Sequence, residues 1–260
     1  TFVAACAVLE ARFHTHQFVM WSLAGAVGAS WLILALLSLD DVYSCPRAQL
    51  RERSHGAWLL GSVATAGLAI TAADLGVNTR WKGWILLSIA VWILAIASYL
   101  ITAVFIVRAT SRPIAAHSIA PDAWILMGAL AICTLAGVHA RGVLASREML
   151  PRMDDMMRLT ILVLWVAASV WIPILLGVQI WQFLHHRNES VHFSGVWWAA
   201  VFPLGMYSTA TQATALQLHL ETLTDISIVM FWVAFGVWGL VATGWLHSLI
   251  RTSAHPSPSA

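Results

Sequence analysis

Seven stretches without a charged side chain decide what this chain can become: 17–38, 56–73, 83–107, 123–138, 159–184, 193–218 and 226–246. Crossing the hydrocarbon layer of a bilayer takes about 20 apolar residues at ~1.5 Å of helical rise each. Six of the runs meet that length; 123–138 does so only with Asp122 or His139 near an interface. In lipid the backbone must bond to itself, so spans are helices or closed barrels, and runs this long read as helices. Charged residues are only 10% of the chain, against roughly 25% in a soluble domain. With 60% apolar residues and a mean hydropathy of +0.78, the chain reads as an all-α, multi-pass integral membrane protein.

Everything else fits one transmembrane domain over 1–260. The longest polar connection, 139–158, is too short for a separate soluble domain. A net charge of +2 gives no reason to expect nucleic acid. Cys6, Cys45 and Cys133 lack any CxxC spacing, so neither a disulfide framework nor a structural zinc site is indicated. The opening "TFVAACAVLEARF" reads as the tail of an apolar helix, and residues 1–13 are expected to be a truncated inner span. Spans and hairpins are expected to follow at 14–38, 56–108, 122–184 and 196–250, with a polar tail at 251–260.

An internal repeat organises these spans. "GAWLLGSVATAGLAITAADL" from Gly56, "DAWILMGALAICTLAGVHA" from Asp122 and "GVWWAAVFPLGMYSTATQA" from Gly195 align on Trp58, Trp124 and Trp198. Small or hydroxyl residues then fall in register, among them Ser62, Thr65, Gly128 and Ala131. The repeating unit is a helical hairpin. Its first helices (56–73, 123–138, 193–218) are about half Gly, Ala, Ser and Thr; the alternating spans are under a third. Small residues allow close helix approach and bulky ones suit lipid, which predicts an inner class and an outer class.

The span 193–218 is the anomaly. It carries Pro203, Gly205, Ser208, Thr209, Thr211 and Gln212 at its centre. Proline removes a backbone donor and frees carbonyls, and exposed backbone at membrane depth is tolerated where it lines a cavity. Phe202, Gly205, Thr209 and Gln212 share one face by 3–4 spacing. That face reads either as a pore lining or as a kinked helix whose hydroxyls bond back to their own carbonyls.

"WWAAVFPLGMYSTAT", "GAWLLGSVATAGLA" and "VWIPILLGVQIW" (170–181) together resemble the tellurite-resistance/dicarboxylate transporter family, which includes malate permeases and slow-type anion channels. The resemblance runs from Thr1 to about Arg251. It implies ten spans arranged as five hairpins, with five inner helices around a central pore. About eight of these spans are expected in this sequence, and the family's first hairpin is expected to be missing from it. The resemblance also implies a phenylalanine gate, which Phe202 matches best. Pro203, Gly205, Ser208, Thr209, Gln212, Ser62, Thr65, Gly128 and Ala131 are then expected to line the pore. It further implies a homotrimer in the plasma membrane with a cytoplasmic C-terminus. The seven-to-seven split of Arg and Lys between alternate loops gives orientation no vote.

The inner spans hold no lysine, while Arg80, Arg141, Arg147, Arg152 and Arg187 lie at ends. A neutral lumen with cationic mouths favours anions: malate-like dicarboxylates, chloride, nitrate or tellurite. A proton-coupled carrier is the second reading, with Asp74 and Glu10 near inner-helix ends read as caps or salt bridges before relays. A haem protein would pair histidines on facing helices, but His139, His219 and His247 lie near span ends and His14, His16, His185 and His186 in loops. A retinal protein needs a lysine in mid-span, and Lys82 sits at an interface. No Ser/His, His/Glu or paired acidic set converges, so no catalytic residue, metal or cofactor is expected. Trp81, Trp84, Trp124, Trp197 and Trp245 are read as interfacial belts, and "MLPRMDDMMR" (149–158) as an amphipathic interfacial segment.

Overall fold

The computed structural model describes residues 4–7, 17–44, 59–79, 81–110, 123–146, 151–185 and 198–254. Beyond a helical piece at 4–7 it contains seven helices: α1 (Gln17–Ser44), α2 (Leu59–Thr79), α3 (Lys82–Thr110), α4 (Trp124–Ala145), α5 (Pro151–His185), α6 (Trp198–Leu218) and α7 (Glu221–Ala254). Among the described residues the fold is all-α. Glu10, His14, His16, Cys45, Arg80, Arg147, His186, Arg187 and Trp197 lie outside them.

Short links join α2 to α3, α4 to α5 and α6 to α7. The α6–α7 turn is His219 and Leu220. His219 adopts a left-handed φ of 56°, and the Leu220 N–H bonds back to the Ala215 carbonyl at 3.0 Å, a closure that satisfies the helix's last carbonyls. α5 opens on Pro151, which needs no donor at that position, with Asp154 against the positive end of the helix. One expectation is corrected here. Residues 139–145 and 151–158 are helical, so the long polar connection shrinks, and 151–158 of the methionine-rich segment form the first turns of α5. α7 continues through Ala254.

Burial separates two layers. Within their spans α2 and α4 are 72% and 78% buried, against 17–28% for α1, α3, α5 and α7. α4 lies between α2 and α6, with α3 and α5 behind it; α1 packs on α2 and α7 on α6. Among the described residues six helices are long and apolar enough to cross a membrane, and α6 is not among them. Its 21 residues suffice in length, but Ser208, Thr209, Thr211, Gln212, Thr214 and Gln217 dilute its hydropathy. Its place comes from packing against α4 and α7 instead.

Hydrogen bonds fasten the outer helices to the inner ones, where no water competes. Ser88 Oγ donates to the Ala69 carbonyl at 3.0 Å, joining α3 to α2. Ser208 and Ser227 each donate to the other's carbonyl, at 2.8 and 2.9 Å, joining α6 to α7. Trp92 Nε1 of α3 donates to the Cys133 carbonyl of α4 at 2.8 Å. Its ring lies so close to Gly137 that an added Cβ there would come within 2.7 Å. Trp165 Nε1 donates to Thr211 Oγ1 at 2.9 Å, and Ser169 and Tyr207 share a 2.7 Å bond across α5 and α6. Tryptophan thus serves two purposes. Trp81 and Trp245 are exposed, whereas Trp124, expected in the same belt, is buried at the head of α4.

Candidate permeation site

α6 remains one continuous helix through Pro203. The missing donor is the one that would bond the carbonyl four residues back, that of Ala199. Ala199 is in the wall of a cavity of about 380 Å³, with Leu60 and Val63 of α2, Ile125 and Gly128 of α4, and Trp198, Phe202 and Pro203 of α6. All three inner helices therefore meet around one apolar space at their N-terminal ends, and Phe202 forms part of its wall. Gly128 makes the meeting possible. A Cβ there would lie 2.8–3.0 Å from Pro203, its backbone included.

The expected lining residues divide. Phe202, Pro203 and Gly128 come together at the cavity. Gly205, Thr209 and Gln212 continue from Phe202 as a half-buried stripe along α6, and a side chain at Gly205 would meet open space. Ser208 instead turns to Ser227 of α7, and Thr65 Oγ1 accepts the indole N–H of Trp31 on α1 at 3.1 Å. Ser62 donates to the Leu59 carbonyl, and Ala131 is buried within α4. Thr209 and Thr211 donate to the carbonyls of Gly205 and Tyr207. Much of the polarity of α6 is thus satisfied inside the helix. Leu60, Val63, Ile125, Trp198 and Ala199 escaped the reading because apolar residues in a span carry no mark. Their offsets from the aligned tryptophans could have found them.

The opposite end of the inner layer is polar. Asp74 Oδ1 of α2 faces His139 Nδ1 of α4 at 3.0 Å. Arg141 of α4 holds Asp154 of α5 through Nε and Nη2, both at 2.8 Å, and reaches the carbonyl of Gln217 near the end of α6. Gln217 Nε2 donates to the Val138 carbonyl at 2.7 Å. Of the arginines expected to make a cationic mouth, Arg141 is therefore already neutralised by Asp154. Among the described residues no three His, Cys, Asp or Glu side chains gather as a metal site would need.

A layer of close-packed, small-residue helices wrapped by apolar ones defines a multi-pass helical membrane protein. The chain belongs to the voltage-dependent anion channel family (SLAC1), whose model matches residues 1–246. It is 31% identical over 147 residues to an uncharacterized membrane protein of Mycobacterium tuberculosis strain H37Rv, covering 56% of this chain and 74% of that one. It is 27% identical over 227 residues to a sulfite efflux pump of Trichophyton rubrum and 26% over 223 residues to one of Arthroderma benhamiae. Each of those alignments covers 78% of this chain and 59% of the pump. No solved structure matches the chain.

Proposed function

We propose that this chain passes small anions across a membrane along the axis between α2, α4 and α6, with Phe202 as the closing residue. The carrying observation is the cavity that these three helices enclose against Phe202, continued along α6 by Gly205, Thr209 and Gln212. Apolar walls suit an anion that sheds part of its water, and among the described residues no carboxylate lines the cavity to draw cations. Family membership and the sulfite efflux relatives support anions as the cargo. Sulfite therefore joins chloride, nitrate, malate and tellurite as substrates to try. A homotrimer in the plasma membrane is part of the same proposal.

The test is anion flux into protein-loaded liposomes, comparing chloride, nitrate, sulfite and malate with and without a proton gradient. Flux that follows the anion gradient alone is the expected result. Flux only under a proton gradient would favour a proton-coupled carrier, the reading the Asp74–His139 pair supports. Liposomes no leakier than protein-free ones would overturn both.

A further inference from the structure

Asp74 and His139 are not isolated surface groups. Asp74, His139 and Thr214 each stand eleven positions beyond a cavity-lining residue: Val63 on α2, Gly128 on α4 and Pro203 on α6. Eleven residues are about three turns, so each lies ~16 Å farther along its helix and only about 20° around it. The faces that enclose the apolar cavity at one end thus carry a carboxylate, an imidazole and a hydroxyl toward the other.

This far end also holds unspent hydrogen-bonding capacity. Asp74 Oδ2, Thr71 Oγ1, Thr214 Oγ1 and Gln217 Oε1 are buried without a partner among the described residues. Unpaired polar atoms at such depth cost stability, and they gather on the three helices that enclose the cavity.

Resting on the permeation reading, we infer that Asp74 and His139 form a proton-binding site on the anion path. With neutral imidazole, Nδ1–H donates to Asp74 and the pair carries one negative charge. A proton added at Nε2 makes the pair neutral and supplies one more donor. Imidazole changes charge between about pH 5 and 8. Anions then meet a negative barrier at alkaline pH and a neutral, donating site at acid pH.

Among the described residues, the surrounding charges leave this change uncancelled. Arg141 and Asp154 neutralise one another. Lys82 on α3, Asp155 and Arg158 on α5, and His219, Glu221 and Asp225 around the α6–α7 turn are exposed, where water screens them. α1 brings no charged side chain in its first half.

Nitrate flux tests the inference, because nitrate keeps its charge across this range. Wild-type flux should rise at least about threefold from pH ~7.5 to ~5.5, a modest demand on one unit charge near the path. Asp74→Asn, which removes the negative charge at every pH, should be faster than wild type at pH ~7.5. His139→Gln, which leaves Asp74 charged with no imidazole to protonate, should be slow and flat. Asp155→Asn, an exposed charge outside the pair, should keep the wild-type slope. A His139→Gln protein retaining that slope overturns the inference.

A second measurement does not depend on variants transporting. The NMR titration of the His139 imidazole, assigned by its loss in His139→Gln, should shift to higher pH in nitrate, since linkage between the two ligands is reciprocal. An unmoved midpoint overturns the inference. Flux that is present but flat with pH sinks this site and leaves permeation standing. A nitrate-shifted midpoint with no flux at any pH keeps the proton site and sinks permeation.

Discussion

The strictest demand on any single residue falls on Gly128. Alanine there would press its Cβ to 2.8–3.0 Å from Pro203, contact that includes backbone, so α4 and α6 would have to part. Overpacking of this kind costs about 1–3 kcal/mol. Gly128→Ala should therefore lower the melting temperature in detergent. Gly205→Ala should be neutral or stabilising, because its Cβ meets nothing within 4 Å and alanine favours helix by ~1 kcal/mol. Equal melting temperatures for the two would refute this account of the α4–α6 crossing. The sequence marks both partners, Gly128 through the repeat register and Pro203 as a proline within a span. It cannot show that one seats the other, because the contact depends on how two helices distant in sequence cross.

Among the helices, the hairpin is the unit of construction, and it was legible. The repeat and the small-residue contrast separate α2, α4 and α6 from α3, α5 and α7; burial sets α2 and α4 apart in the same way, and about half of α6 is buried. What composition could not settle was where each hydroxyl points. Ser208 lies off the phase of the Phe202–Gly205–Thr209–Gln212 stripe by one helical step, and it bonds the outer helix rather than the axis. Ser208→Ala and Ser227→Ala should thus each cost roughly 0.5–1.5 kcal/mol in unfolding, because each removes its own side-chain bond to the other helix's carbonyl, with anion selectivity unchanged. Altered selectivity, or no loss of stability, would return Ser208 to the lining. The α6–α7 turn makes its own forecast. His219 holds a left-handed conformation that costs a side-chain-bearing residue about 1–2 kcal/mol. His219→Gly should keep or raise the melting temperature, and a clear drop would show that the imidazole itself supports the turn.

For the whole molecule, the two ends of the inner layer differ in kind: an apolar cavity with Phe202 in its wall and a polar cluster built on Asp74 and His139. A phenylalanine that closes a path and one that packs an interface make opposite forecasts. If the ring is the closure, Phe202→Ala should raise nitrate flux several-fold in a folded protein, and Phe202→Leu, which keeps apolar bulk, should fall between. If the ring only packs, truncation should cost up to about 3–5 kcal/mol, less for a half-buried side chain, and lower yield without added flux. Thr209→Val separates chemistry from size. The Thr209 hydroxyl already donates to the Gly205 carbonyl at 3.1 Å, so its loss should change total conductance and relative permeability among chloride, nitrate and sulfite only slightly, and a marked change of selectivity would show that the hydroxyl turns to the ion. A folded Phe202→Ala protein with wild-type or lower flux would remove Phe202 as the closing residue, and the polar end would then be the place to look for the barrier.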